Sequence, residues 1–182
     1  MTKSSKTKKY RPYVNVSKNE ICAKLSAELD QVVDSKNVEI ISYCFAELST
    51  KKHNKIEKIE QHLINLNLKP VHWLETAAGI TREFHSITEG KHNVYVILLE
   101  KFGESGNYAL YVGMTGLSPE ERFQNHKEGH KDAPSAREYA KKCLLPSLYE
   151  HLNPMGYEEA QQLEFSIAEA LKKVQIPVLG GH

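Results

Sequence analysis

Over the first ninety residues apolar side chains recur every third or fourth position, and from Asn93 the interval drops to two. That change of period divides the chain into a helical part and a part with strands. Ser17 and Glu20 form an S-x-x-E capping box ahead of Ile21, Leu25, Leu29 and Val32 at helical spacing. A second amphipathic stretch runs from Val38 to Leu48 with Ile41, Phe45 and Leu48 on one side. A third covers Asn54 to Leu66, where Ile56, Ile59 and Leu63 recur before Pro70 stops it. These stripes predict a small helical unit packed on its own apolar faces. Ala77-Ala78-Gly79 to Lys91, with Gly90, reads as the link to the strand-bearing half.

In the second half Tyr95, Ile97 and Leu99 share one strand face, and Ala109, Tyr111 and Gly113 share one face of the next. Gly103, Ser105, Gly106 and Asn107 between them predict an antiparallel hairpin. A loop symmetric about Gly103 sets Tyr95 opposite Tyr111 or one residue away. In Ser118-Pro119-Glu120-Glu121 the serine is an N-cap, the proline takes the first helical position and Glu121 closes a capping box. Arg122, Phe123 and His126 then fall on one arc of the helix. Gly129 ends it, with His130 just beyond. A third strand is expected near Lys142 to Tyr149, at an edge because of Pro146. The last helix runs from Tyr157 to Val174 with Ala160, Leu163, Ile167, Leu171 and Val174 as its stripe, and Glu164 falls inside that stripe.

The expected class is therefore α+β: a small three-stranded antiparallel sheet flanked by helices, preceded by a helical N-terminal unit. The divisions are a basic flexible tail over 1–16, a helical region over 17–90 and a sheet-containing domain over 91–182. With 40% hydrophobic and 26% charged residues the composition is globular. No apolar run approaches the roughly 18 residues of a membrane helix, and no secretory leader is evident, so the expectation is a cytoplasmic protein without a membrane partner. Cys22, Cys44 and Cys143 are far apart and odd in number, which suggests neither a disulfide framework nor a cysteine zinc site. Lys3, Lys6, Lys8, Lys9 and Arg11 crowd the N-terminus without an acid between them. Such a tail is either a solvated arm or a strand of cations for a nucleic-acid backbone.

Charged groups on an apolar arc cost free energy unless they are paired or used. Arg122 could pair with Glu121 or another acid, His126 could be a satisfied core residue, and each tyrosine could be packing. Glu164 could form a salt bridge to Arg122, or hold Mg2+ with water and phosphate oxygens as further ligands. A structural zinc site on His126 and His130, four residues apart, lacks further ligands in the sequence.

Taken in order, these residues resemble the GIY-YIG nuclease domain over about 92–180. Tyr95 in Val94-Tyr95-Val96 stands where the family has the tyrosine of its first strand motif, and Leu110-Tyr111-Val112-Gly113 matches the second. Arg122 takes the place of the catalytic arginine, His126 that of the histidine or tyrosine one turn later, and Glu164 that of the metal-binding glutamate. Homing endonucleases, some restriction enzymes and the nuclease subunit of bacterial excision repair share this pattern. The resemblance implies a metal-dependent endonuclease that hydrolyses DNA with one Mg2+ (or Mn2+) on Glu164. Arg122 would stabilise the phosphate charge, Tyr111 or His126 would take the proton from water, Tyr95 would position or relay, and Gly113 and His130 would contact substrate. Val-Tyr-Val replaces Gly-Ile-Tyr, Met114 follows the second motif, and no asparagine follows the last helix. A non-catalytic nucleic-acid-binding module that keeps the nuclease fold is the alternative.

Overall fold

The computed structural model describes residues 8–32, 37–100, 108–129 and 140–180. The hairpin loop around Gly103, His130 and the lysines at 3 and 6 lie outside them. The chain forms two compact units, one of Lys9–Thr76 and one built mainly of Ala77–His182.

In the first unit α1 (Lys18–Leu29) starts at the expected box, with Ser17 Oγ accepting from the Glu20 amide and the Glu20 carboxylate accepting from the Ser17 amide. The helix ends at Leu29, so Val32 falls beyond it and is exposed. Helix α2 (Val38–Thr50) is buried nearly all round rather than on one side, carrying Glu39 and Glu47 inward with Ile41, Cys44 and Leu48. Glu47 is tolerated there because Arg11 grips it with two hydrogen bonds, 3.0 Å from Nε and 2.9 Å from Nη2, and Lys51 lies 3.3 Å away. Tyr10 joins the same unit through a 2.9 Å amide bond to the Glu75 carbonyl and an edge contact with Tyr43. Arg11 is thus part of the folded unit. Helix α3 (Ile56–Asn65) buries Leu63. Helix α4 (Leu74–Thr81) occupies the start of the expected linker, because Ala77 and Ala78 are fully buried and favour a helix.

The second unit centres on β1 (Asn93–Glu100) and β2 (Tyr108–Thr115), antiparallel as expected. The sheet has four strands in the order β3-β1-β2-β4 and is mixed, which corrects the three-stranded antiparallel expectation. The added strand, β4 (Val178–Gly180), runs parallel to β2. Gly180 makes that pairing possible: its φ is +87°, and a side chain there would strike the Val112 carbonyl. The edge strand β3 is Ala140–Leu144, shorter and earlier than expected. Pro146 ends it by starting a 3-10 turn over Pro146–Leu148. The rest of the β1 edge is satisfied without a strand. The Leu145 amide donates to the Val96 carbonyl at 2.9 Å, the Asn153 side chain bonds both backbone groups of Val94 at 2.9 and 2.8 Å, and His92 exchanges two 2.9 Å bonds with Met155.

Helix α5 (Pro119–Lys127) packs on β1 and β3, and α6 (Tyr157–Lys173) on β1, β2 and β4. Both central strands are therefore buried along most of their length. Glu159, on the outer side of α6, ties down the segment entering β1: it accepts from the Ile87 and Thr88 amides at 2.8 and 2.9 Å and from the Thr88 hydroxyl. Among the described residues no helix is long and apolar enough to cross a membrane.

Candidate active site

Four of the expected residues come together on one face of the sheet. Tyr95 stands opposite Gly113 and Tyr111 opposite Ile97, so the two tyrosines are diagonal neighbours two positions apart, not opposite or one apart. An offset of two keeps them on the same face, whereas an offset of one would have parted them. Their ring centroids are 6.0 Å apart. Helix α5, fixed by Ser118 Oγ accepting from the Glu121 amide and by Pro119 in its first turn, delivers the other two. His126 Nε2 lies 2.8 Å from the Tyr95 hydroxyl, and its ring meets that of Tyr111 edge-on at 5.4 Å. Arg122 Nε donates to the same hydroxyl at 3.3 Å. Glu121 is engaged with Ser118 through its cap bonds.

Gly113 is the space in which the rings meet. A Cβ on it would lie 2.6 Å from the Tyr95 hydroxyl and 2.8 Å from Cε1 of Tyr111. Glycine is needed here for what it lacks, since the second phenol could not cross its own strand above a methyl group.

Tyr95 is 1% exposed, His126 1% and Tyr111 7%. Burial pushes the Tyr95 phenol well above its ordinary range, the Tyr111 neighbour adds to the rise, and Arg122 offsets only part of it. The phenol is thus a proton carrier that stays protonated. Arginine can only donate, so the Tyr95 oxygen accepts from Arg122 and keeps its own proton to give. His126 Nε2 can accept that proton when the ring carries its hydrogen on Nδ1.

Glu164 comes from α6. At about 100° per residue it sits between Ala160, Ile167, Ala168 and Leu171 on the sheet-facing arc, yet it is half-buried, not the fully buried acid its stripe suggests. No group of three or more His, Cys, Asp or Glu that could hold a metal exists among the described residues. The donor set here is a single carboxylate. That fits Mg2+, which keeps several waters and takes substrate phosphate oxygens, and it does not fit an all-protein cage. His130 lies outside the described residues.

Sequence reasoning missed Asn153 and Glu159, which hold the two ends of the strand entry that carries Tyr95. Glu159 stands below the ordinary carboxylate range because the Thr88 hydroxyl and the Ile87 amide donate to it. A side-chain amide pairing with a strand at a distance of 59 residues leaves no periodic signal. Comparison with protein-family models, with curated proteins and with solved structures finds no match.

Proposed function

We propose that the protein is a metal-dependent endonuclease, a phosphodiester hydrolase acting on DNA through a GIY-YIG-type site. The observation that supports this reading best is the meeting of Tyr95, Tyr111, Arg122 and His126 around the vacant side-chain position of Gly113. Arg122 is oriented by a buried phenol, and a planar, permanently charged donor held in one pose suits the charge that develops on a phosphoryl group. Tyr95 stays protonated and fixes His126 and Arg122 relative to one another. Tyr111, the more exposed of the two phenols, takes the proton from the attacking water as a phenolate, its own proton having been given up to solvent, while the Tyr95–His126 pair keeps the two rings in place. Glu164 holds one Mg2+ or Mn2+, which when bound supplies polarisation of the phosphoryl oxygen and stabilisation of the departing 3′ oxygen.

A closed set of hydrogen bonds around Tyr95 would also suit a binding module that has kept the fold and lost turnover. Incubation of the full chain with plasmid and Mg2+ or Mn2+ separates the two. Cleavage that Glu164→Ala abolishes and EDTA prevents is expected. DNA binding without cleavage in either metal would leave only the binding module.

A further inference from the structure

We infer that Asn153 is a positioning residue of the same site: its side-chain amide sets where the Tyr95 hydroxyl stands and, through that hydroxyl, the pose of Arg122 and His126. The inference rests on the phosphodiesterase reading and adds to it a residue that touches none of the reacting atoms.

Asn153 replaces a strand residue with a side chain. Its Oδ1 accepts from the Val94 amide at 2.9 Å and its Nδ2 donates to the Val94 carbonyl at 2.8 Å, so one planar amide serves both backbone groups of the residue before Tyr95. A primary amide carries donor and acceptor together, which an ionised carboxylate does not. The backbone around Asn153 is pinned on both sides. Leu152, at the end of the 3-10 turn Glu150–Leu152, and Met155 are both fully buried, and Met155 exchanges two 2.9 Å bonds with His92. The amide is thus held ready for the strand by its own neighbours.

The height of Tyr95 in the sheet depends on this edge. Across the ladder it faces Gly113, which has no side chain to fix the ring. Its two neighbours in β1 are fully buried and bonded outward, Val96 through its carbonyl to the Leu145 amide at 2.9 Å and Val94 to Asn153. The Leu145 and Met155 bonds are made by backbone and survive a substitution; the bonds of Asn153 do not. A phenol is a long lever, so a small displacement of Val94 carries the Tyr95 oxygen away from His126 Nε2, 2.8 Å distant, and Arg122 Nε, 3.3 Å distant. Misplacement by about 1 Å is enough to cost about a hundredfold in rate.

The test uses the full chain with Asn153→Asp, which at neutral pH keeps the shape and the acceptor for the Val94 amide but has no hydrogen for the Val94 carbonyl. With plasmid and Mg2+ the turnover number is expected to fall about tenfold or more while KM changes little. The second readout needs no cleavage. Because Tyr95 gives its hydrogen bond to Nε2, His126 carries its own hydrogen on Nδ1, and nitrogen NMR of histidine-labelled protein reads that form in the signal that His126→Gln removes. The Nδ1–H signal should be present in the parent and lost in Asn153→Asp, with the far-ultraviolet circular dichroism unchanged. Asn153→Gln, which carries the same amide one methylene further out, should also fold and lose the signal. A parent without the Nδ1–H form, or variants that keep both it and the parental turnover, would overturn the inference. A fall in turnover with the signal intact, or a rise in KM alone, would overturn it too, since Asn153 would then act on the substrate. Failure of both variants to fold would make Asn153 a folding residue and nothing more. Absence of cleavage in the parent removes the hydrolase reading and leaves the Nδ1–H signal to decide the positioning.

Discussion

Tyr95 lies directly across the ladder from Gly113, and the vacant Cβ position of that glycine is where the Tyr95 and Tyr111 rings converge. The relationship turns a strand glycine, ordinarily a weak point, into a requirement of the site. Gly113→Ala should force both rings outward and break the 2.8 Å contact between Tyr95 and His126. The expected cost is about 1–3 kcal/mol from overpacking, read as a lower urea midpoint, with a changed tyrosine near-ultraviolet circular dichroism signal and loss of cleavage. A variant with parental spectrum and midpoint would mean that the rings do not depend on this space.

Tyr95→Phe removes one oxygen that serves two partners. His126 Nε2 and Arg122 Nε both lose their shared hydrogen-bond partner while the ring stays in place. A buried group left unsatisfied costs about 1–3 kcal/mol, and the turnover number should fall more than KM rises, because the phenol orients groups and does not itself bind substrate in bulk. The phenol also predicts a pH dependence. Its folded pKa is raised, so its contribution to stability is complete below the free value of about 10 and is lost as the pH climbs from there through the higher folded value. Parental protein should therefore lose stability relative to Tyr95→Phe above about pH 10. Parallel urea midpoints across that window would sink the assignment.

The parts of the fold written in local chemistry were legible in the sequence. The boxes at Ser17 and Ser118 fix helix starts within a few residues, and the two-residue period fixes β1 and β2. Residue order alone set Tyr95 and Tyr111 near one another but missed the true offset, since register depends on a loop whose length does not specify its shape. The parallel pairing of β4 was illegible. Three residues carry no period, and the partner lies nearly seventy residues earlier. Burial of α2 on all sides escaped for a different reason: Glu39 and Glu47 mark an outer face until Arg11, 36 residues away, is known to neutralise Glu47. The arc that brings Arg122 and His126 inward could be read, whereas the hydroxyl that joins them could not.

Arg11 and Glu47 carry the last prediction. Burial alone would raise the Glu47 carboxyl, but hydrogen bonds from Arg11 and Lys51, together with their charge, outweigh it and hold the group below the ordinary carboxylate range. A depressed folded pKa gives stability that is present above the unfolded value of about 4.3 and is lost as the pH falls through the folded one. Arg11→Met takes away the two-pronged partner and leaves the buried carboxylate with Lys51 alone, a loss of about 1.5–3 kcal/mol near neutral pH. Trp73, the only tryptophan of the chain, lies in the same unit and reports its unfolding. Urea titrations followed by its emission should show the full deficit at pH 7, a smaller one near pH 3, and an acid transition displaced to higher pH in the variant. Arg11→Met combined with Glu47→Leu should recover part of the loss, because no charge is then stranded. A deficit of the same size at both pH values would mean that Arg11 contributes through its packing rather than through the ion pair.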